Sequence, residues 1–198
     1  MSIGSVQTQF FQINKPFFLD SGKSFESLTL AYETYGRLNA EASNAILVFH
    51  ALTGSQHAAG VNESFPEAAP LWNNECVVGW WDSFIGPGKA LDSDRYFIIC
   101  ANYIGGCYGS TGPRSIDPAT RKPYGSRFPQ VTAWDVVHSQ LTLLDHLGID
   151  RLHAAIGSSL GGMLAILLET RRPKRVNRVI TIATGIKTTV LRRDNSFE

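Results

Sequence analysis

The 198-residue chain has an ordinary globular composition, with 43% hydrophobic and 18% charged residues, and its length predicts one domain. A net charge of +1 does not favour a nucleic-acid partner, which usually requires a basic stripe. Its aliphatic runs are too short to span a bilayer, and residues 1–20 lack the pattern of a signal peptide. Three widely spaced cysteines without a C-x-x-C pair indicate neither a zinc site nor a disulfide framework. We expect a cytoplasmic protein with no membrane partner and no bound metal.

Five segments predict β-strands. They are residues 29–35, 45–50, 96–101, 152–156 and 179–183, and the last four are continuous apolar runs. Such runs are typical of strands buried on both faces of a parallel sheet. The long stretch 51–94 has no clear periodicity. We expect it to shape a site or to cover the core.

Two helices are predicted between these strands. Thr132 and Asp135 have the spacing of a capping box at the start of the first helix, and Gly148 supplies its stop. The second helix is predicted to begin at Leu160 and to end near Pro173. Strands that alternate with helices imply an α/β domain with a mostly parallel sheet, flanking helices and right-handed crossovers.

A G-x-S-x-G motif marks Ser159 as the candidate nucleophile. Only this serine has glycines two residues to either side, Gly157 and Gly161, and Ser158 has none there. A nucleophile on a sharp strand-to-helix turn is strained, and side chains at its ±2 positions would collide. The predicted strand before it and helix after it match the nucleophile elbow of the α/β-hydrolase fold. The alternative is a small residue in a tightly packed strand–helix junction.

Two backbone N–H groups are predicted to form an oxyanion hole beside Ser159. In this fold the residue after the nucleophile, here Leu160, supplies one donor, and a loop after an earlier strand supplies the other. The segment H-A-L-T-G, 50–54, directly follows the predicted strand 45–50. We choose Leu52 on that loop as the second donor.

Three other features have weaker interpretations. The glycine-rich segment 105–113 lacks the G-x-G-x-x-G and G-K-[ST] patterns, so we interpret it as a loop that lines the site. His50 and His57 flank the oxyanion loop, and we assign neither as the catalytic base. A basic cluster at the end of the second helix is interpreted as structural, because the helix dipole favours cations there. Its members are Arg171, Arg172, Lys174 and Arg175.

Several sequence blocks carry a family resemblance. They are L-A-Y-E-T-Y-G at 30–36, H-A-L-T-G at 50–54, W-W-D-S-F-I-G-P-G-K-A-L-D at 80–92, N-Y-I-G-G-C-Y-G-S-T-G-P at 102–113, and the elbow followed by G-G-M at 161–163. With these blocks, from about residue 30 to residue 184, the chain resembles homoserine O-acetyltransferases. These are acyl-CoA-dependent enzymes of methionine biosynthesis with the α/β-hydrolase fold.

The resemblance implies a ping-pong acyl transfer. Ser159 would take an acetyl group from acetyl-CoA, and the hydroxyl of L-homoserine would then take it from the serine. It further implies small-molecule substrates, no bound cofactor or metal, and a homodimer. Ser158 and Leu160 replace the glycine and methionine usual in this family's elbow. Succinyl-CoA as donor and serine as acceptor therefore stay open.

The catalytic triad of this fold is not complete in the sequence. Its order is Ser, then Asp or Glu, then His, yet the histidines at 50, 57, 138, 146 and 153 all precede Ser159. Residues 185–198 depart from the family pattern and form a divergent tail. We expect residues 1–198 to be a single incomplete domain, the N-terminal portion of a truncated member without the lid and C-terminal strands, and to lack turnover alone. An esterase of the same fold and a non-catalytic fragment are the alternatives.

Overall fold

The computed structural model describes residues 2–68 and 71–185, so the divergent tail lies outside the described residues apart from position 185. Six strands of this part form one sheet: β1 (Gln9–Ile13), β4 (Leu28–Tyr35), β5 (Ala45–Phe49), β6 (Phe97–Ala101), β9 (Ala154–Ser158) and β10 (Val179–Ile182). Four two-residue strands form two small hairpins: β2 (Phe17–Phe18) with β3 (Ser24–Phe25), and β7 (Ile116–Asp117) with β8 (Lys122–Pro123). The helices are α1 (Ala133–His146) and α2 (Leu160–Arg171), with 3-10 turns at Pro66–Ala68, Asn74–Cys76, Gly125–Arg127 and Pro173–Arg175.

The sheet runs in the order β1-β4-β6-β5-β9-β10. Strands β6, β5, β9 and β10 pair in parallel, whereas β1 and β4 are antiparallel additions at one side. The mostly parallel α/β sheet is therefore confirmed, and the predicted strands and helices lie within about two residues of the observed ones. The sequence did not predict β1, because its pattern Q-F-F-Q-I is largely exposed and has no apolar run.

Strand β5 lies at the centre of two packed layers. Leu47 and Phe49 face a core that includes apolar side chains of α1 and α2. Ile46 and Val48 face the opposite layer, which Ile85, Trp80 and Trp81 of segment 51–94 cover. This burial on both faces explains the continuous apolar run, and it shows that the irregular segment does cover the core.

Strand β10 differs from the other parallel strands. Its apolar sequence predicts burial on both faces, yet Ile180 is 47% and Ile182 is 45% exposed. Within the described residues β10 is the last strand of the sheet, so one of its edges has no neighbouring strand. The apolar run 179–183 therefore predicted a strand correctly, but its side chains are not buried on both faces in the described part of the chain.

The helix termini follow the predicted local chemistry. Thr132 and Asp135 form the capping box at the start of α1, and Gly148 follows its end with φ of 72°. Arg171 and Arg172 lie over the Trp134 ring at 4.8 and 5.0 Å. These stacked guanidinium groups support the interpretation of the basic cluster as structural.

A buried polar pair ties segment 51–94 to β4. His57 Nδ1 lies 2.8 Å from Glu33 Oε2, and both side chains are almost fully buried. The Val77 carbonyl, 3.1 Å from Nε2, only accepts, so Nε2 carries a proton. One further proton must then lie between Nδ1 and Oε2, and the pair is neutral as a whole whichever atom holds it. Thr8 and Tyr35 hydroxyls donate to the same carboxyl group.

No helix of the described part is long and apolar enough to cross a membrane. The three cysteines are free thiols: Cys100 is buried, Cys76 half-buried and Cys107 exposed.

The first prediction concerns the Glu33–His57 pair. His57→Ala leaves a buried carboxyl group without its partner, and we expect the free energy of unfolding to fall by about 3–5 kcal/mol. Asp20→Asn removes one partner of the exposed Asp20–Arg171 pair, whose charged atoms lie 3.9 Å apart, and should cost about 1 kcal/mol or less. Urea denaturation at neutral pH measures both. Similar small losses in the two variants would contradict the structural role of the pair.

Candidate active site

Ser159 lies at the turn between β9 and α2. Strand β9 ends at Ser158, and α2 begins at Leu160. Ser159 has φ of 51° and ψ of −120°, a conformation that costs a non-glycine residue about 1–3 kcal/mol. The sequence-predicted strand-to-helix turn is therefore present, and it is strained. Its role as nucleophile stays a prediction.

The two glycines of the motif allow two close backbone approaches. A Cβ on Gly157 would collide with the backbone of Gly161, so the turn itself requires glycine. A Cβ on Gly161 would collide with the carbonyl groups of Phe49 and His50 at the end of β5. Gly161 therefore brings the Ser159 turn against the start of the loop 50–54, and the two sequence motifs meet in space.

The backbone of Ser159 is held on both sides. Its N–H donates to the Ile182 carbonyl at 3.0 Å, so it is not free to bind a substrate. Its carbonyl accepts from the Thr184 hydroxyl at 2.6 Å and from the Gly162 N–H at 3.1 Å. The end of β10 and the residues after it thus help to hold the strained turn.

A cavity of about 720 Å³ lies at the carboxyl ends of the strands. Leu52 and Leu160 both line it, while Ser159, next to Leu160, is half-buried and is not itself a lining residue. Loop 105–113 supplies part of the wall, which confirms its interpretation as a lining loop. None of the described residues that line the cavity is Asp, Glu, Lys or Arg. Its size suits a small-molecule ligand, and its wall favours an uncharged one.

His50 lies in the cavity wall as a buried neutral ring. Nδ1 donates to the Ala51 carbonyl at 2.7 Å, and the ring stacks on Tyr103 with centroids 3.7 Å apart. Burial lowers the pKa of His50 from 6.5 to about 4, and the hydrogen bond with the Ala51 carbonyl and the nearby Asn102 side chain offset this only in part. The ring is therefore uncharged at neutral pH.

Neither flanking histidine is placed as a base for Ser159. His57 Nδ1 contacts the Glu33 carboxyl group, and His57 Nε2 contacts the Val77 carbonyl. Among the described residues, which include all five histidines, none forms a hydrogen bond with the Ser159 hydroxyl. The same part of the chain contains no group of three or more His, Cys, Asp or Glu that could hold a metal ion.

Asn102 and Tyr103 belong to the candidate site, although neither was assigned a role from the sequence. They directly follow β6, and both line the cavity. The Tyr103 hydroxyl donates to the His50 carbonyl at 2.6 Å. A usable signal was present, because residues just after parallel strands meet at the carboxyl edge of a sheet, where ligands bind.

The second prediction concerns backbone strain at Ser159. Glycine adopts positive φ without a penalty, so Ser159→Gly should be about 1–2 kcal/mol more stable than Ser159→Ala. The matched pair is Ser158→Gly and Ser158→Ala, where the strand favours alanine by about 0.5–1 kcal/mol. Denaturant unfolding of the four variants measures both differences. If the glycine and alanine variants had the same order of stability at both positions, the strained turn at Ser159 would be contradicted.

The third prediction concerns the pH dependence of stability. Because the pKa of folded His50 is about 4 and the unfolded value is 6.5, the unfolded chain binds the proton first as the pH falls. The neutral His50 ring therefore makes its full contribution to the free energy of unfolding above about pH 6.5. As the pH falls towards 4, about 3 kcal/mol of that free energy is lost.

We therefore expect the stability difference between the wild type and His50→Phe, which cannot titrate, to shrink by about that amount over this interval. Denaturation at several pH values measures it. A difference that stays constant with pH would contradict a buried neutral His50.

Comparisons with known proteins agree with the fold. A sequence model of the α/β hydrolase fold family matches residues 44–198. Homoserine O-acetyltransferase of Moorella thermoacetica is 52% identical over 187 residues, which is 94% of this chain and 48% of that protein. The crystal structure of esterase E22 superposes with a TM-score of 0.83 at 37% identity, covering 94% of this chain and 50% of that one. Homoserine O-acetyltransferase from Bacillus anthracis superposes at 0.81 with 36% identity, covering 96% and 50%.

The chain spans about half the length of the curated relatives it matches. Within that half, the mostly parallel sheet agrees with the matches in sequence and structure. The chain belongs to the α/β-hydrolase fold family, and over nearly all of its length it is similar to homoserine O-acetyltransferases.

Proposed function

We propose that this chain carries the nucleophile and the oxyanion hole of an acyltransferase that moves an acetyl group from acetyl-CoA to the hydroxyl of L-homoserine. The observation that carries the proposal is the strained Ser159 turn beside an uncharged cavity, in a chain about half identical to a homoserine O-acetyltransferase. Strain at a strand-to-helix turn is typical of functional serines.

In the first half-reaction Ser159 Oγ attacks the thioester carbonyl carbon of acetyl-CoA. Its proton passes to a base, the C–S bond breaks, and CoA leaves as the thiol after taking up a proton. In the second half-reaction the homoserine hydroxyl attacks the acetyl-serine and restores the Ser159 hydroxyl. Because no described histidine bonds to Ser159, we assign the base to a group other than these five histidines.

Negative charge on the tetrahedral intermediate would be stabilised by the N–H groups of Leu160 and Leu52. Leu160 is the first residue of a 12-residue helix, so its N–H has no partner within the helix and lies at the positive end of the helix dipole. Loss of one such donor typically lowers kcat by about 10²–10³-fold. Leu52 lines the same cavity.

The uncharged cavity suits the acyl group better than the ionic groups of homoserine. A buried carboxylate or ammonium group without a charged partner is costly, so groups outside the described cavity wall would bind the ends of the amino acid. The same reasoning favours acetyl-CoA over succinyl-CoA as donor. We further propose a cytoplasmic homodimer that acts in methionine biosynthesis, as the family resemblance implies.

An esterase of the same fold is the second candidate function, and the similarity to esterase E22 favours it. The two functions differ in the acceptor, which is water in an esterase. The rate of CoA release from acetyl-CoA by the full-length protein, with and without homoserine, distinguishes them. A rate that homoserine does not change would favour the esterase.

The fourth prediction tests the nucleophile. After acetyl-CoA is added to the full-length protein, mass spectrometry should find an added acetyl group on Ser159. Ser159→Ala should abolish the acetyl-enzyme because the attacking oxygen is gone. Ser158→Ala is the matched control and should retain it. Acetylation of Ser158, or an unchanged acetyl-enzyme in Ser159→Ala, would refute the assignment.

A further inference from the structure

We propose that His50 is a positioning residue that sets the direction of the Leu52 N–H by holding the Ala51 carbonyl. The inference rests on the proposed function, in which that N–H stabilises the oxyanion. It assigns to His50 a role in the reaction that involves neither proton transfer nor contact with the substrate.

The neutral His50 ring carries its proton on Nδ1. The Ala51 carbonyl oxygen, 2.7 Å from Nδ1, only accepts, so the proton of the neutral ring is on Nδ1. The same oxygen accepts from the Gly54 N–H at 2.9 Å. Two donors from different directions therefore fix the orientation of this carbonyl.

The peptide unit between Ala51 and Leu52 transmits this orientation to the Leu52 N–H. The Ala51 C=O and the Leu52 N–H belong to one planar trans peptide, in which the two bonds point in opposite directions. A carbonyl held by His50 and Gly54 therefore directs the Leu52 N–H away from them. Among the described residues, none accepts a hydrogen bond from this N–H, and Leu52 lines the cavity. The N–H is thus oriented and available before any substrate arrives.

Tyr103 holds the His50 ring in place. Tyr103 stacks on the ring with centroids 3.7 Å apart, and its hydroxyl donates to the His50 carbonyl at 2.6 Å. The same His50 carbonyl lies against Gly161, where a Cβ would collide with it. His50 therefore links the loop 50–54 to the turn that carries Ser159, and a shift of the ring would move the Leu52 N–H relative to the serine.

The other ring nitrogen, Nε2, is not placed for proton transfer. Nε2 is buried and has no hydrogen-bond partner among the described residues. It forms no hydrogen bond with the Ser159 hydroxyl, and protonation there would bury an unpartnered charge. What remains for the ring is the hydrogen bond to the Ala51 carbonyl.

Three substitutions separate this hydrogen bond from the packing of the ring. In His50→Asn the amide nitrogen is attached to Cγ, as Nδ1 is, and it can donate to the Ala51 carbonyl. His50→Gln carries its amide one atom further out, and His50→Phe keeps a stacked ring but has no donor. His153→Phe, which removes a histidine outside the cavity wall, is the control.

The test measures acetyl-enzyme formation from acetyl-CoA by rapid-quench mass spectrometry in the full-length protein. We expect the rate constant to fall about tenfold to hundredfold in His50→Phe and His50→Gln. This decrease is smaller than or similar to the one caused by removing an entire oxyanion donor. His50→Asn should recover most of the rate. The acetyl-CoA concentration at half-maximal rate should change less than about twofold, because the interaction acts in the transition state.

Equal rates in His50→Asn and His50→Phe would overturn the proposal, because a donor to the Ala51 carbonyl would then make no difference to the rate. A rise in the half-maximal concentration at an unchanged maximal rate would also overturn it. If His50→Phe does not fold, the comparison of His50→Asn with His50→Gln decides, and equal rates overturn the proposal. If Ser159→Ala still forms the acetyl-enzyme, the proposed function fails instead. Loss of acetylation in Ser159→Ala with normal rates in all His50 variants refutes only the role of His50.

Discussion

The close approach of α2 to the end of β5 is the constraint on which the candidate site depends. Gly161 lies against the carbonyl groups of Phe49 and His50, and a Cβ there would force the two elements apart. Because β5 continues directly into the loop 50–54, this contact sets the distance between the Ser159 turn and the proposed oxyanion donor Leu52. A small residue in the helix therefore controls the geometry of a loop more than one hundred residues earlier in the chain.

The polar groups at the carboxyl edge of the sheet are arranged around backbone atoms rather than around one another. The Tyr103 hydroxyl and the His50 ring both donate to carbonyl groups, and the Thr184 hydroxyl does the same at Ser159. Each bond fixes a peptide plane, and peptide planes determine where N–H groups point. Such preorganised donors stabilise a developing negative charge without reorganising during the reaction.

The two faces of the sheet are covered in different ways, and this bears on the site. Helices α1 and α2 pack on one face, whereas the irregular segment 51–94 covers the other. An irregular segment cannot satisfy its backbone as a helix does, so it needs specific anchors. The buried pair of His57 with Glu33 is one, and the Tyr35 hydroxyl, which accepts from the N–H groups of Ala58 and Ala59, is another. These anchors begin only a few residues after the loop 50–54.

The sequence by itself determined the features that depend on neighbours along the chain. A strand buried on both faces needs an unbroken apolar run, as 45–49 has, and the capping box and the elbow each involve residues within a few positions. The elbow could be located because its steric conflict lies between Gly157 and Gly161, four residues apart. These interactions are local, so the pattern of residue types was enough.

Only the tertiary structure decided which distant residues meet. His50 stacks on Tyr103, His57 pairs with Glu33, and β1 pairs with β4, and none of these contacts joins neighbours in the sequence. Single residues such as Tyr103 carry no periodic signal, and their partners depend on the strand order of the sheet. Packing geometry, not residue type, therefore turned His50 from a histidine without an assigned role into the proposed support of the oxyanion loop.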